Sequence, residues 1–238
     1  MGSHGAVSRR PRGTGRNSAT ESGQAEPRQL NATHSGNSGE AEGCKVIVAL
    51  SVSVDGYITG RDPRAGHGLG DGEMLFDWYF DGDTPSEVFD GFKLSAPSAR
   101  VFDTLADRVS VTIAGRNTYD DSDSFGGGSP HPKTRLIVVS HREVPQLSDR
   151  QRHATGIEDA IAKARELAGG KDIGLMGGGI ATAALEAGLV DEIVLHQIPV
   201  LLGSGRSFFQ ELPAHIKLRV VEVVPAPGVT HLHYEVER

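Results

Sequence analysis

The sequence predicts an α/β protein, a three-layer sandwich whose mixed, mostly parallel sheet lies between helices and ends in an antiparallel hairpin. Three observations predict this class. Short apolar runs alternate with helical patterns from Lys45 onward, as in parallel strands joined by crossover helices. Glycine-rich turns separate some of these strands from the helices that follow. The last two apolar stretches, 217–224 and 230–236, are separated by prolines and a glycine, which predicts the hairpin.

The first 43 residues differ from the rest in composition. They hold eight glycines, no aromatic residue and, after Met1, only Val7 and Leu30 as large aliphatic residues. So little apolar surface cannot offset the entropy of ordering a chain. We therefore expect a disordered tail over residues 1–43 and one folded domain over residues 44–238.

Charge and cysteine content exclude several functions. The folded part carries 19 basic and 27 acidic side chains, which argues against a nucleic-acid surface. Cys44 is the only cysteine, so no internal disulfide or multi-cysteine metal site is possible. No apolar run approaches the length of a membrane span, and no apolar segment of a secretion signal follows the basic residues of the tail. These features favour a cytoplasmic protein.

The first part of the domain combines a buried strand with a long connection. The run 46–50 predicts the strand, and Asp55-Gly56 predicts a turn after it. The segment 60–83, which contains the only tryptophan, Trp78, is long enough to be a functional lid or a mobile loop. Thr84-Pro85-Ser86-Glu87 has the pattern of a capped helix start and predicts a short helix.

The remaining elements follow from periodicity. Helices are predicted over 98–108, 157–168 and 180–187, and strands over 109–114, 135–140, 172–176 and within 191–202. Thr155 and Glu158 predict a capping box for the helix 157–168, and Gly169-Gly170 predicts its end.

Three strand ends carry residues that suit phosphate binding. Gly177, Gly178 and Gly179 lie between a strand and a helix that continues through Ile180, where backbone amides can approach a pyrophosphate. Gly115, Arg116 and Thr118 occupy a second such junction. Ser140, His141 and Arg142 end a third strand and offer the donors that a 2′-phosphate needs, which favours NADPH over NADH. Each motif alone also fits a simple tight turn, a solvated arginine or a polar strand exit.

The order of these motifs resembles a known family. Ser-Val-Asp-Gly-Tyr-Ile after the first strand, Gly-Arg-Asn-Thr-Tyr, Val-Ser-His-Arg, the triple glycine and Pro-Val-Leu-Leu-Gly-Ser-Gly-Arg at 199–206 are similar to the reductase domain of the bifunctional riboflavin-biosynthesis deaminase-reductase and its stand-alone relatives. That family has the dihydrofolate reductase fold. The resemblance covers residues 45–238.

The resemblance implies roles for the motif residues. Gly115, Arg116 and Thr118 would hold cofactor phosphates, the triple glycine would line the pyrophosphate, and Ser140 and Arg142 would lie at the adenosine end. Asp55, Tyr57 and the loop 202–206, with Leu202 and Gly203, would border the nicotinamide and substrate pocket, and Trp78 is a further candidate for substrate contact. Asp55 is the candidate proton donor, although an Asp-Gly turn is sufficient to explain it and favours a structural role.

Two departures limit the resemblance. No acid aligns with the carboxylate by which dihydrofolate reductases bind the pterin, the candidates being Asp77, Asp81, Asp83 and Glu87. The chain also lacks the zinc motif of a deaminase. His231 and His233 share one face of a predicted strand, but no third ligand accompanies them, so we expect no metal.

The sequence therefore predicts an NADPH-dependent reductase that transfers a hydride to a small heterocyclic, carbonyl or imine substrate of pyrimidine or pterin type. Two alternatives stay open, a non-catalytic nucleotide-binding or interaction protein of the same fold and a true dihydrofolate reductase. The resemblance also implies a homodimer.

Overall fold

The computed structural model describes residues 44–145 and 147–238, so the predicted tail lies outside the described residues. Eight of the strands form one sheet. In chain order the strands are β1 (Val46–Ser53), β2 (Thr84–Pro85), β3 (Lys93–Leu94), β4 (Val109–Gly115), β5 (Arg135–Val139), β6 (Gln151–Ala154), β7 (Asp172–Met176), β8 (Glu192–Ile198), β9 (Leu218–Ala226) and β10 (Val229–Val236). The helices are α1 (Ala96–Arg108), α2 (Arg116–Asp121), α3 (Ile157–Ala168) and α4 (Gly178–Glu186).

The sheet is mixed and mostly parallel, as the sequence predicts. Its strand order is β6-β5-β4-β7-β1-β8-β10-β9. The six strands from β6 to β8 are parallel, whereas β10 pairs antiparallel with both β8 and β9. The carboxyl ends of the parallel strands therefore lie along one edge of the sheet, where ligands bind in open α/β sheets.

Helices cover both faces of the sheet. Val48 on β1 is fully buried in the core that also contains Ile161 and Ala164 of α3. Ser51 lies on the opposite face of the same strand, because successive side chains alternate, and it accepts a hydrogen bond from Trp78. Trp78 packs against Phe102 of α1. These contacts give the three layers that the sequence predicts.

The helix predicted from Thr84 is wrong. Thr84–Pro85 instead form β2, which pairs antiparallel with β3. Ser86 Oγ does accept from the backbone N–H groups of Val88 and Phe89, at 3.1 and 3.0 Å, but it also donates to Asp103 of α1. The hydroxyl thus ties this segment to α1, and the chain reverses before a helical turn can continue.

Other boundaries differ in smaller ways. The predicted capping box of α3 is wrong, because Gly156 is the N-cap residue and the carboxylate that accepts from Thr155 N–H is that of Asp159. Helix α1 begins earlier than predicted, with Ser95 as its N-cap. Strand β8 ends at Ile198, short of the predicted run to Leu202, and the short strand β6 was not predicted. None of the helices in the two described ranges combines the length and apolarity needed to cross a bilayer.

Candidate cofactor and substrate site

A cleft of about 870 Å³ lies at the carboxyl ends of the parallel strands. It brings together the junction after β4, the junction after β7 and the loop 205–210. Seven of the predicted cofactor residues line it: Gly115, Arg116, Thr118, Gly177, Gly178, Gly179 and Ile180. Two motifs that lie about sixty residues apart in sequence therefore share one wall of the cleft.

The glycine turn is shaped by close backbone approach. Gly177 has φ +104°, a conformation that side chains disfavour, and a Cβ atom there would lie 2.9 Å from Thr118 Oγ1. A Cβ atom on Gly178 would lie 2.3 Å from the carbonyl oxygen of Ser207. Helix α4 begins at Gly178, so its first free N–H groups stand at the cleft. The two glycines are therefore required for the close packing of this turn against Thr118 and the loop at Ser207.

Arg116 connects the second motif to the third. Its Nε donates to both carboxylate oxygens of Asp120, at 2.7 and 2.8 Å, and its Nη1 donates to the carbonyl oxygen of Glu143 at 3.2 Å. The Ser140 hydroxyl is buried and accepts from Arg142 N–H at 3.1 Å. Ser140, His141 and Arg142 do not line the cleft itself. They lie on the adjoining strand end, which Arg116 contacts through Glu143.

Asp55 holds a loop instead of facing the cleft. Its carboxylate accepts from Ser53 Oγ at 2.6 Å and from the N–H groups of Leu202 and Gly203 at 3.1 and 2.7 Å. The hydrogen bond from Ser53, followed by those from the loop, lowers the pKa of Asp55. A carboxylate with a lowered pKa is a poor proton donor at neutral pH, so the geometry favours the turn role.

The other predicted substrate residues also support the site from outside. Tyr57 bridges to Ser207, and neither Tyr57, Leu202 nor Gly203 lines the cleft. Trp78 is buried, and its Nε1 donates to Ser51 Oγ at 3.1 Å. The position of Trp78 is behind the wall of the site, where it packs against the residues that face a ligand.

A second pocket of about 280 Å³ adjoins the cleft on the α1 face of the sheet. The two cavities share four residues, Leu50, Ser51, Phe76 and Met176. Aromatic side chains form much of the second pocket, namely Phe76, Tyr79, Phe89, Phe92 and Phe102. We call it the aromatic pocket. Its position places a bound ring compound next to whatever occupies the cleft.

Two histidines are coupled beside the aromatic pocket. His196 lines the pocket, and its Nδ1 lies 2.8 Å from Nδ1 of His231. His231 Nε2 in turn lies 3.0 Å from Ser98 Oγ. Burial lowers the pKa of His196 to about 3 and that of His231 to about 4. Both rings are therefore neutral at pH 7, and neither brings positive charge to the pocket.

Several residues of the site were missed at the sequence level. Ser51 and Phe76 stand at the junction of the cavities, and Gln210 lines the cleft from its loop side, beside Arg206 of the predicted loop 202–206. Arg206 is held by an ion pair of 2.6 Å with Asp121. A serine within an otherwise buried apolar strand was the available signal for Ser51. Phe76 lies in a short 3₁₀ helix, Glu73–Tyr79, and Gln210 lies in an irregular segment. No periodic pattern predicts the position of either residue.

The acidic candidates for pterin binding do not reach the site. Asp77, Asp81, Asp83 and Glu87 are all exposed, and none lines the cleft or the aromatic pocket. His233 lies 3.0 Å from Glu192, away from the cleft. Within the described ranges, no group of three or more His, Cys, Asp or Glu side chains is arranged to hold a metal ion.

Comparisons with known proteins agree with this architecture. A protein from Shewanella sp. PV-4 assigned to riboflavin biosynthesis is 28% identical, with a TM-score of 0.58 over 82% of this chain and 99% of that chain. Dihydrofolate reductase from Enterococcus faecalis, solved with NADP(H), is 15% identical with a TM-score of 0.51, over 82% of this chain and 97% of the reductase. These similarities confirm the predicted fold.

A bifunctional enzyme has the same fold in part of its length. The Thermotoga maritima diaminohydroxyphosphoribosylaminopyrimidine deaminase/5-amino-6-(5-phosphoribosylamino)uracil reductase is 12% identical with a TM-score of 0.53, and the match covers 82% of this chain but 57% of that one. A comparison with curated protein sequences gives no significant match. The RibD C-terminal domain family matches residues 44–232, which supports an oxidoreductase. The chain therefore belongs to the RibD C-terminal domain family.

Proposed function

We propose that the protein is an NADPH-dependent reductase that transfers a hydride to the carbon of a C=N or C=O group in a small ring compound. One observation carries the proposal: the junctions after β4 and β7 line a single cleft, and this cleft shares Ser51, Phe76 and Met176 with the adjoining aromatic pocket. A dinucleotide needs an extended cleft with backbone donors, and its acceptor needs an adjoining pocket.

The residues present fit a dinucleotide. The glycine turn holds the start of α4 at the cleft, and side chains at Gly177 and Gly178 would collide with Thr118 and Ser207 and displace it. The N–H groups at the start of α4 would hold the pyrophosphate, with Arg116 nearby. Ser140, His141 and Arg142 would take the adenosine end. When bound, NADPH would supply a hydride from its nicotinamide ring.

The chain's own residues would orient the reactants and exclude water. Leu50, Phe76 and Met176 present apolar surface at the junction of the two cavities. Holding two reactants together in such a site accounts for a large part of the rate that an enzyme provides. The hydride would go to the substrate carbon and a proton to its nitrogen or oxygen, which leaves NADP⁺ and the reduced product.

Riboflavin biosynthesis supplies the first substrate class to test, because the Shewanella protein is assigned to that pathway. A true dihydrofolate reductase is less well supported. That enzyme shares the fold, but among the described residues no carboxylate lines the pocket where a pterin would bind. A non-catalytic nucleotide-binding protein would share the cleft and would differ only in turnover.

The test is a pair of thermal-shift titrations with NADPH and NADH, followed by a spectrophotometric assay of NADPH oxidation with pyrimidine, pterin and simple carbonyl acceptors. We expect NADPH to stabilise the protein more than NADH, because binding to the folded state raises its stability. No stabilisation at millimolar NADPH would contradict the proposal. Stabilisation without oxidation of NADPH by any acceptor would favour the non-catalytic alternative.

The homodimer and the cytoplasmic location remain predictions. Strand β9 suits a homodimer, because it is an edge strand of the sheet and exposes Val220 and Val223 by 57% and 52%. Light scattering after gel filtration would give the mass in solution. A monomeric mass across micromolar concentrations would exclude the homodimer.

A further inference from the structure

The aromatic pocket differs from the cleft in that no charged side chain lines it. Arg, Lys, Asp and Glu are all missing from its wall among the described residues. The wall is made of aliphatic and aromatic groups, the hydroxyl of Tyr79, and four polar side chains, Ser51, Thr112, His131 and His196. The two histidines do not add charge, because burial lowers the pKa of both.

Two of the four polar side chains are already engaged. His131 Nε2 lies 2.8 Å from the carbonyl oxygen of Ala106, and its Nδ1 accepts from Lys133 N–H at 3.0 Å. These two bonds use both ring nitrogens and fix the tautomer with hydrogen on Nε2. Thr112 Oγ1 lies 3.1 Å from Thr134 Oγ1.

The other two side chains keep a free polar function. His196 bonds to His231 through Nδ1 only, and no described residue hydrogen-bonds to its Nε2, although the side chain is buried and lines the pocket. Ser51 Oγ accepts from Trp78 Nε1, and the hydroxyls of Ser51 and buried Tyr79 interact with each other, which leaves one hydroxyl hydrogen of this pair available to donate. Ser51 also lies at the junction with the cleft. The pocket therefore offers one or two neutral hydrogen bonds within an apolar enclosure.

We infer that the substrate is a flat, uncharged ring compound with one polar carbonyl or imine group, which His196 Nε2 and the Ser51 hydroxyl orient towards the cleft. This inference rests on the proposed function and narrows its substrate class. The volume of about 280 Å³ is just below the usual range of about 300–1,000 Å³ for ligand pockets, so a compound of one or two rings fits. Aromatic walls favour a planar ring through stacking and edge contacts.

The same wall excludes phosphorylated and carboxylated compounds from the pocket. A buried anion needs a cation or several donors to replace its hydration, and without them burial costs several kcal/mol. No basic side chain of the described residues lines the aromatic pocket. A phosphoribosyl pyrimidine, the kind of compound in the name of the Thermotoga enzyme, therefore does not fit this pocket with its phosphate inside.

Trp78 provides a direct reporter of pocket occupancy. It is the only tryptophan of the chain. Its ring centroid lies 4.4 Å from that of Tyr79, 5.5 Å from that of Phe102 and 5.0 Å from that of His196, and all three side chains line the pocket. The experiment titrates the full chain with 2-acetonaphthone, a neutral bicyclic ketone, and follows the fluorescence of Trp78. The matched probe is 2-naphthoate, which has nearly the same shape and carries a negative charge, and uridine 5′-monophosphate is the phosphorylated probe.

We expect the ketone to bind at least about tenfold more tightly than 2-naphthoate, because the anion loses hydration that the wall does not replace. Uridine 5′-monophosphate should not displace the ketone. Equal or tighter binding of either anion would overturn the inference. The absence of saturable binding of the ketone would overturn it as well.

Two variants in which leucine replaces an alanine show where the ketone binds. Ala49→Leu puts a larger side chain into the pocket from β1, and Ala187→Leu makes the same change at an exposed position after α4. Ala49→Leu should abolish the saturable fluorescence change, whereas Ala187→Leu should leave it intact. An unchanged ketone titration in folded Ala49→Leu would place the probe elsewhere and would contradict the inference. The two variants also control for the light that the probe itself absorbs.

His196→Phe tests the polar anchor. The change keeps a ring of similar shape and removes the nitrogen atoms, so the preference for 2-acetonaphthone over naphthalene should fall by about tenfold, the value of one lost hydrogen bond in an apolar site. A preference that does not change would remove His196 from the inference. His196→Phe also removes the hydrogen-bond partner of His231, which lowers the stability of the fold. The preference for 2-acetonaphthone over naphthalene is therefore measured in Ser51→Ala as well, and it should fall there too.

NADPH binding is measured separately, by the fluorescence of its nicotinamide ring. Binding of the ketone without binding of NADPH would defeat the proposed reductase and leave the chemistry of the pocket established. Binding of NADPH together with a preference for anionic probes would support the proposed reductase and overturn the inference about the pocket.

Discussion

The two edges of the parallel sheet differ in how they use charge. At the amino-terminal edge, Glu192 has a side chain only 3% exposed and accepts from Lys45 Nζ at 2.7 Å and Arg108 Nη2 at 3.1 Å. Its other oxygen lies 3.0 Å from His233 Nε2. Arg108 Nε also donates to Asp172 at 2.8 Å. Every one of these charges has its partners within the protein.

The carboxyl-terminal edge is built from backbone and glycine. Gly115, Gly177 and Gly178 line the cleft without side chains, and the start of α4 presents its backbone N–H groups to the cleft. The comparison teaches that one edge holds the domain together while the other is kept open for a ligand. Substitutions at the first edge should change stability alone, and conservative ones at the second should change binding most.

The largest change, a loss of stability, is expected from Glu192→Gln. Burial alone would raise the pKa of Glu192, but hydrogen bonds from His233, Arg108 and Lys45 outweigh it and hold the pKa below its ordinary value of 4.5. Removing one member of a buried ionic group costs about 3 kcal/mol at pH 7, which urea unfolding would measure. A group with a lowered pKa stabilises the fold above its ordinary pKa and loses that effect as the pH falls.

The difference in stability between wild type and Glu192→Gln should therefore shrink as the pH falls below 4.5. Glu186→Gln, an exposed change at the end of α4, is the control and should alter stability by no more than about 0.5 kcal/mol. NADPH affinity should be the same in both variants. A constant difference from pH 7 to pH 3 would show that the ionic cluster does not act through the charge of Glu192.

The next effect is expected from Gly178→Ala, at the opposite edge. The new methyl group would lie 2.3 Å from Ser207 O and 2.8 Å from Phe208 O, both backbone atoms that cannot turn aside. Displacing this loop costs about 1–3 kcal/mol, and NADPH affinity should fall by about tenfold or more. Gly156→Ala, with no atom within 4 Å of its Cβ position, should leave NADPH affinity unchanged. Equal affinities in the two variants would separate the glycine turn from the cofactor site.

Arg116→Ala should weaken NADPH binding by about tenfold, as for the loss of one charged hydrogen bond. The fold should be little affected, because the ion pair of Arg116 with Asp120 spans one turn of an exposed helix surface. Titration by nicotinamide fluorescence measures the affinity. Arg150→Ala, which removes a guanidinium that bonds to Thr134 away from the cleft, is the matched control. A fall in affinity as large in Arg150→Ala would mean that overall charge, and not the site, is responsible.

The smallest expected effect is a change in the preference for NADPH over NADH. Arg142→Ala should reduce the affinity for NADPH by a few-fold, roughly half of the Arg116 effect in free energy, since Arg142 is exposed. NADH binding should not change, because NADH lacks the 2′-phosphate. The ratio of the two dissociation constants is the measurement. A parallel fall for both cofactors would place Arg142 near a different phosphate.

Much of the fold could be predicted because local rules and tertiary packing agree there. The apolar runs give β4 and β7 almost residue for residue and β1 up to its last three residues, and the periodic pattern with its following glycines gives α3. The Thr84 segment shows the opposite case. Its sequence has a good helix start, but Asp103 from a distant helix binds the Ser86 hydroxyl, and that contact cannot be read from neighbours in sequence.

The site divides in the same way. The glycine turns and Arg116 were predictable, because strand-to-helix junctions of a parallel sheet meet at one edge and their glycines mark close approach. The aromatic pocket was not predictable. Its wall combines Phe76 from a short 3₁₀ helix and Phe89 from an irregular segment with His196 from a strand, and only the folded chain brings these together. The sequence predicts Asp55 and Trp78 at the substrate pocket. In the structure Asp55 is exposed and holds the loop at Leu202, and Trp78 is buried against Ser51.

Hydrogen exchange measured by mass spectrometry, with and without NADPH, tests the central claim most directly. NADPH should slow exchange at the backbone amides of residues 115–118 and 177–180 together, because both junctions would contact one molecule. The amino-terminal edge around Lys45 and Glu192 should exchange at the same rate in both samples. Protection at only one of the two junctions, or at neither, would contradict a single dinucleotide cleft.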